Sequence, residues 1–169
     1  GETPVPPSTS PPGAPTERPM RQRLAQLLFP GFNGTSTNPA EVQALIDAGA
    51  GGVFVGRKEQ GLFDSSVMLD AAGYALPPFV ATDGEGGAVD LIPSIMEPLP
   101  SARNMATWEP AIIRAAGATR AINLTQRGVT VDFTPVLDVA GGENPLGDRT
   151  WSADPAVVER TAGSFAEGL

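Results

Sequence analysis

Residues 77–87 combine a short apolar run with a turn that carries two carboxylates. The sequence is Pro-Pro-Phe-Val-Ala-Thr-Asp-Gly-Glu-Gly-Gly. The apolar run ends at Asp83, and the glycines that follow permit a sharp turn and a close approach of the backbone to a ligand. Asp83 and Glu85 would stand at the end of a strand as acceptors for hydroxyl or amide donors. A tight turn with solvated acids explains the same residues, so this stretch alone leaves both interpretations open.

A second polar stretch, residues 144–152, reads Asn-Pro-Leu-Gly-Asp-Arg-Thr-Trp-Ser. Because Arg149 follows the fourth predicted strand, we expect it to project toward the same edge of the sheet as Asp83. A planar guanidinium can form two parallel hydrogen bonds with a sugar ring or with a carboxylate. On these residues alone, a structural ion pair with Asp148 or Asp138 is the slightly simpler interpretation.

Two other chemistries are open to these acidic residues. A phosphate site is disfavoured, since the glycine-rich turn brings two carboxylates and no lysine. Asp83, Glu85 and Asp138 could together hold a hard cation, which requires several oxygen ligands. That hypothesis predicts a chelator-sensitive α/β enzyme, but it has no histidine ligand to draw on. Carboxylates that pair with arginine or accept backbone N–H bonds account for the same residues more simply.

Composition restricts the class of protein. The chain has 169 residues, a net charge of −8 and no cysteine or histidine. This length fits one ordinary domain, and an acidic chain without basic clusters argues against binding to nucleic acid or anionic membranes. Without cysteine and histidine there are no disulfides, thiol nucleophiles, histidine triads or common zinc sites within this chain. No apolar run reaches the length of a bilayer span, so we expect a soluble chain.

Residues 1–18 are rich in proline, serine and threonine and contain almost no large apolar residue. Such a segment cannot bury enough surface to offset its chain entropy, so we predict an extended, mobile tether. No charged and apolar leader stands at this end of the sequence, so we expect any signal peptide to have been removed or never to have been present. The composition favours an exported protein, in the periplasm or at the cell surface, over a plain disordered tail.

From Pro19 onward, apolar runs of strand length alternate with segments of helical periodicity. Strands are predicted at residues 27–29, 52–56, 79–82 and 129–138. Helices are predicted near residues 20–28, from an Asn38 cap to a stop at Gly49, at 64–74, at 108–126 with a Thr107 cap, and from residue 154 to the end. Mostly apolar strands joined by helices indicate a parallel sheet buried on both faces, either doubly wound or part of a (β/α) barrel.

Several motifs occur in one order along the chain. They are Asp-Gly-Glu-Gly-Gly at 83–87, Leu-Pro-Ser-Ala at 99–102, Gly-Val-Thr-Val-Asp-Phe-Thr-Pro-Val-Leu-Asp-Val at 128–139, Gly-Asp-Arg-Thr-Trp at 147–151 and Asp-Pro at 154–155. From about Met20 to Leu169 this series resembles the N-terminal barrel domain of glycoside hydrolase family 3, nearest its bacterial β-N-acetylhexosaminidase branch. The resemblance implies about the first four strand–helix units of a TIM-type (β/α) barrel with parallel strands.

The resemblance also implies an activity and a set of site residues. The family hydrolyses terminal N-acetylglucosaminides of peptidoglycan or chitin-like fragments, with retention and without a cofactor. By match to its motifs, Asp83 and Arg149 would bind the sugar. We predict Glu85, Asp138 and Asp148 as residues that support them. No metal is expected.

The chain departs from the family at two positions and in length. The family turn continues as Gly-Gly-Arg-Val-x-Arg, but Ala88 and Leu91 stand at the two arginine positions. The loss of a cation from a polar site weakens substrate binding or changes which substrate is accepted. A complete barrel needs about 250 residues, and the family's Lys-His-Phe-Pro-Gly-His-Gly stretch, histidine–aspartate acid/base pair and nucleophilic aspartate would all lie beyond Leu169. Asp83 and Glu85 leave a single strand end, so they are unsuited to act on opposite faces of one sugar.

We therefore expect no catalytic residue in this chain and no activity from it alone. An open half barrel leaves an unpaired strand edge and an exposed apolar face, which predicts a fragment that needs its complementing half or another protein chain. The alternative is a non-catalytic carbohydrate-binding or interaction protein on the same scaffold. The absent arginines favour that alternative.

Overall fold

The computed structural model describes residues 18–34, 36–90 and 96–169, and the predicted tether lies outside these ranges except for Arg18. The strands are β1 (Gly31–Phe32), β2 (Gly52–Val55), β3 (Phe79–Thr82) and β4 (Val131–Asp132). The helices are α1 (Met20–Ala25), α2 (Pro39–Asp47), α3 (Gln60–Asp64), α4 (Val67–Asp70), α5 (Ala102–Met105), α6 (Pro110–Thr125) and α7 (Pro155–Gly168), with 3-10 turns at Ala71–Gly73 and Gly147–Arg149. Within the described ranges no helix has the length and apolar character to cross a bilayer.

The four strands form one parallel sheet in the order β1-β2-β3-β4. Each strand is thus followed in space by the next strand in the chain, as in the first half of a (β/α) barrel and unlike a doubly wound sheet, where the order reverses. In the register of β3 and β4, Thr82 lies beside Asp132. The polar residues that follow parallel strands therefore gather at one edge. The predicted α/β class with parallel strands is confirmed.

The two faces of the sheet have different surroundings. Val53, Val55 and Val80 are buried and pack in one core with residues of α2, α3 and α4. Because side chains alternate along a strand, their neighbours point to the opposite face. There Phe79 and Phe133 are 59% and 56% exposed. The expectation of strands buried on both faces is therefore met only in part, since Ala81 on the second face is buried whereas Phe79 and Phe133 are exposed. Exposed apolar side chains on this face are what an open half barrel was expected to show.

A second core holds the segment that carries Arg149. Helices α6 and α7 pack together, and Trp151 and Phe165 lie between them with ring centroids 6.0 Å apart. The helices can approach closely because Gly117 has no side chain. A Cβ at this position would lie 2.4 Å from the carbonyl oxygen of Phe165. Since Trp151 is buried here, the residues just before it are anchored beside the sheet.

Two strand boundaries differ from the sequence-based prediction. The first strand is at Gly31–Phe32 and not at residues 27–29, because those residues turn away from the end of α1 and leave Leu27 and Leu28 exposed. The fourth strand is limited to Val131–Asp132, where residues 129–138 were expected. Pro135 has no N–H to donate, so the ladder cannot continue through it.

Two helix predictions also need correction. The single helix expected over residues 64–74 is instead α4 followed by a 3-10 turn, and α3 ends at Asp64 because Ser65 adopts an extended conformation. The long helix α6 begins at Pro110, not at Trp108. The expected cap, Thr107, instead donates its hydroxyl to the carbonyl of Asn104 at 2.8 Å.

Candidate functional site

The turn after β3 carries Asp83 and Glu85 and lies against residues 99–101. Gly86 and Gly87 have φ angles of +93° and +57°, in the left-handed region that favours glycine. A Cβ on Gly86 would lie 2.4 Å from the carbonyl oxygen of Pro100, and one on Gly87 would lie 2.9 Å from the Cα of Ser101. The glycines are therefore required both by backbone angle and by space, which holds the two acids at the carboxyl edge of the sheet.

Arg149 binds Glu85 through two hydrogen bonds. Its Nε donates to Oε2 at 2.8 Å and its Nη2 donates to Oε1 at 2.6 Å, the forked geometry that suits a guanidinium and a carboxylate. Glu85 is only 6% exposed, while the side chain of Arg149 is 35% exposed. This hydrogen bonding to Glu85 raises the pKa of Arg149. An ion pair was expected with Asp148 or Asp138, and that choice of partner is wrong, because the tertiary fold brings Glu85 to Arg149 across the strand edge.

Asp83 lies partly buried beside this pair. Burial raises the pKa of Asp83, the charge of Glu85 raises it further, and the charge of Arg149 lowers it. Asp83 likewise acts on Arg149, raising its pKa. The predicted convergence of Asp83 and Arg149 on one edge of the sheet is therefore present in the structure.

The supporting acids Asp138 and Asp148 lie at the periphery. Asp138 is exposed, and its charge contributes weakly to the raised pKa of Arg149. Asp148 is exposed in the 3-10 turn that precedes Arg149. In the part of the chain that the structure describes, no three acidic side chains come together as a metal ion requires. The alternative in which Asp83, Glu85 and Asp138 hold a cation is therefore not supported, since Arg149 binds Glu85.

The loop that carries Arg149 is held from both sides. Arg103 of α5 donates from Nε to the carbonyl of Thr150 at 3.1 Å and from Nη2 to its hydroxyl at 2.6 Å. Asn144 donates from its amide to the carbonyl of Gly147 at 2.8 Å. These bonds, together with the buried Trp151, fix the direction in which Arg149 leaves the backbone.

Asp132, at the end of β4, is a site residue that the sequence analysis missed. Its Oδ1 accepts a hydrogen bond from the backbone N–H of Gly84 at 2.7 Å, directly between the two acids of the turn. Its Oδ2 is buried and has no hydrogen-bond partner among the described residues. Burial raises the pKa of Asp132 to about 6, against the opposing effects of the Gly84 N–H and Arg120. The available signal was an acid inside the apolar run Val-Thr-Val-Asp-Phe.

Arg57 is a second residue that sequence reasoning missed. It follows β2, and its guanidinium donates a hydrogen bond to the carbonyl oxygen of Ala88. Ala88 was singled out as a position where a family arginine is missing. The structure places a different arginine, from the neighbouring strand end, against the backbone at this position. The other such position, Leu91, lies outside the described residues.

Comparison with known proteins assigns a family to this chain. Residues 19–169 match the family described as glycosyl hydrolase family 3 N terminal domain. The chain is 36% identical over 174 aligned residues to the β-hexosaminidase LpqI of Mycobacterium tuberculosis, an alignment that covers 98% of this chain and 44% of that protein. It is 33% identical over 99 residues to a β-hexosaminidase of Tolumonas auensis, with 55% of this chain and 29% of that protein covered.

Solved structures agree with these relatives. The crystal structure of a family 3 glycosyl hydrolase from Mycobacterium smegmatis superposes with a TM-score of 0.79 at 36% identity, covering 90% of this chain and 47% of that one. NagZ from Neisseria gonorrhoeae has the same fold, with a TM-score of 0.71 at 24% identity over 84% of this chain and 45% of that one. The chain spans a little under half the length of these proteins. It belongs to glycoside hydrolase family 3, as a member of the N-terminal domain family.

Proposed function

We propose that this chain supplies the sugar-positioning part of a β-N-acetylhexosaminidase site that acts on terminal N-acetylglucosaminides of peptidoglycan or chitin-like fragments. The observation that carries this proposal is the placement of Asp83 next to the Glu85–Arg149 pair at the carboxyl edge of the sheet. Sites of (β/α) barrels form at that edge. The β-hexosaminidases among the relatives support the reaction class.

The available donors and acceptors suit a sugar. An ionised Asp83 accepts hydrogen bonds from sugar hydroxyls. Arg149 uses two of its N–H groups on Glu85 and keeps others for a hydroxyl or a carbonyl oxygen. Because the buried Glu85 accepts two hydrogen bonds from the guanidinium, the exposed part of Arg149 is already oriented before a sugar binds.

The same geometry supplies no pair of groups for glycoside cleavage. A retaining mechanism requires one group that attacks the anomeric carbon and another that protonates the leaving oxygen from the other side. Glu85 is engaged by Arg149, and Asp132 is turned beneath Gly84. Asp83 leaves the same strand end as Glu85. We therefore expect binding without turnover from the 169-residue chain, with the nucleophile and the acid supplied by further polypeptide.

The open face of the sheet supports the need for such polypeptide. Phe54 and Phe133 stack there with ring centroids 6.2 Å apart, and Phe133 is largely exposed, as is Phe79 at the other end of this face. In a closed barrel this face would be interior and covered. The proposed occupant is the complementing half of the barrel. The composition of residues 1–18 favours an exported, tethered protein, and this localisation remains part of the proposal.

A non-catalytic carbohydrate-binding protein is the second candidate, because Ala88 stands where the family turn has a cation. The two candidates differ in what the complemented barrel does. Turnover of a chromogenic N-acetylglucosaminide after addition of a complementing half supports the hydrolase, whereas sugar binding without turnover supports the second candidate. Turnover by the 169-residue chain alone contradicts the proposed absence of catalytic groups.

Sugar binding itself is tested by following backbone amide resonances of the chain during titration with N-acetylglucosamine. We expect shifts in the turn 83–88 and near Arg149, with much weaker shifts from glucose, which lacks the acetamido group. Asp83→Asn should abolish the shifts, and Glu159→Gln, an exposed change on α7, should leave them unaltered. A wild-type chain whose resonances do not move at millimolar sugar refutes the binding role.

A further inference from the structure

The carboxyl group of Asp132 lies beneath the turn that carries the two acids of the proposed sugar site. The backbone N–H of Gly84, between Asp83 and Glu85, donates to Oδ1 at 2.7 Å. The contact is too close for any side chain at this position, because a Cβ on Gly84 would lie 2.7 Å from Oδ2. Thr82 and Asp132 are also register partners. Asp132 of β4 therefore lies beside the last residue of β3 before the turn begins at Asp83.

We propose that Asp132 is a positioning residue, which acts through its hydrogen bond with the Gly84 amide to set the direction of Asp83 and Glu85. This hydrogen bond, called here the hold on Gly84, weakens when Asp132 takes up a proton. Its significance for a substrate rests on the proposed sugar-binding function. The hydrogen bond between Asp132 and Gly84 does not depend on that function, since it is a contact within this chain. Asp132 has no direct role in the chemistry, because its carboxyl group is turned toward the backbone of the turn.

The hydrogen bond explains why the protonation state of Asp132 matters. An ionised carboxylate accepts from a backbone N–H in a charge-assisted bond, whereas a protonated carboxyl is a weaker acceptor. The buried Oδ2, which has no partner among the described residues, makes the ionised form expensive. The two states therefore lie close in free energy, so a modest change in pH moves the group between them.

The charged groups that face Asp132 come from two elements. Asp83 and Glu85, on the turn, raise its pKa through their negative charges, and Arg120, on α6, lowers it. Arg120 is itself paired with Asp90 at 2.8 Å, so its charge is partly balanced. Burial remains the largest influence and gives a pKa of about 6. The hydrogen bond from Gly84 to Asp132 should accordingly strengthen as pH rises through about 6 and weaken as pH falls below it.

A pH titration of the unaltered ¹⁵N-labelled chain measures the hold directly. The amide proton of Gly84 should shift downfield as pH rises, with a midpoint of about 6. In Asp132→Asn, which keeps the size of the side chain, this titration should disappear. Glu159→Gln should reproduce the unaltered curve, and Asp83→Asn should retain the titration with a lowered midpoint. A Gly84 resonance that does not titrate, or that titrates unchanged in Asp132→Asn, overturns the proposal.

Sugar affinity supplies the second readout. At neutral pH we expect Asp132→Asn to bind N-acetylglucosamine about tenfold more weakly, the effect of about 1.4 kcal/mol expected when a charge-assisted hydrogen bond becomes a neutral one. Affinity that is unchanged while the Gly84 titration is lost refutes the positioning role. If the unaltered chain binds no sugar, the proposed function fails, but the Gly84 titration still decides whether Asp132 holds the turn.

Discussion

Glu85 and Arg149 are 64 residues apart in the chain and form a forked ion pair with N···O distances of 2.8 and 2.6 Å. The pair joins the turn after β3 to the loop before α7, and thereby links the sheet to the second core. Asp83 lies beside it with a pKa raised by burial. The site is thus a small electrostatic network, in which Glu85 orients the arginine and, under the proposed function, Asp83 binds the ligand.

Disrupting this ion pair should weaken both stability and binding. Because Glu85 is buried, Arg149→Ala leaves a carboxylate without its partner and should lower the free energy of unfolding by about 2 kcal/mol, a value reduced for the partial exposure of the arginine. Urea denaturation followed by circular dichroism measures the change. Arg160→Ala, an exposed arginine on α7, is the control. Equal stability of the two variants contradicts the structural role given to the pair.

The glycines of the turn should be intolerant of a side chain. Gly86→Ala forces a Cβ to within 2.4 Å of the Pro100 carbonyl at φ +93°, so it should cost more than about 1 kcal/mol in stability and displace Asp83. Gly163→Ala, in α7, is the matched change, because apart from its chain neighbours and the nearby backbone of its own helix no atom lies within 4 Å of the position that its Cβ would occupy. That variant should gain up to about 1 kcal/mol from helix propensity. Thermal unfolding of both proteins checks the contrast, and a neutral Gly86→Ala would contradict the geometry.

Asp132 should make the stability of the chain depend on pH. Its pKa is higher in the folded state than its ordinary value of 3.8, so its contribution is fully present below pH 3.8 and is lost as pH rises to about 6. The expected loss is no more than about 3 kcal/mol. The difference in unfolding free energy between the unaltered chain and Asp132→Asn, measured across this pH range, isolates the effect from other acids. A difference that stays constant with pH would show that the carboxyl group is not desolvated.

The exposed face of the sheet should promote association. Phe133→Asp replaces an exposed ring on that face, so it should reduce concentration-dependent self-association in sedimentation experiments with little loss of stability. Ile122→Asp changes a similarly exposed residue on α6 and serves as the control. If both substitutions reduce self-association equally, this face of the sheet is not the surface that mediates it.

The sequence by itself determined those features that depend on neighbouring residues. The apolar run of β3, its end at Asp83 and the glycine turn are local, as are the left-handed stops at Gly49 and Gly128, with φ angles of +92° and +79°. The alternation of strands and helices indicated a parallel α/β fold for the same reason. The ordered motifs were sufficient to indicate the family that the comparisons later established.

Only the tertiary structure decided which of these residues meet. The choice of Glu85 over Asp138 and Asp148 as the partner of Arg149, and the position of Asp132 beneath Gly84, depend on the register of β3 with β4 and on the packing of α6 against α7. Those distances are set by contacts between residues far apart in the chain, which local sequence does not encode. The exposed face of the strands has the same origin, because burial depends on what covers a side chain and not on whether it is apolar.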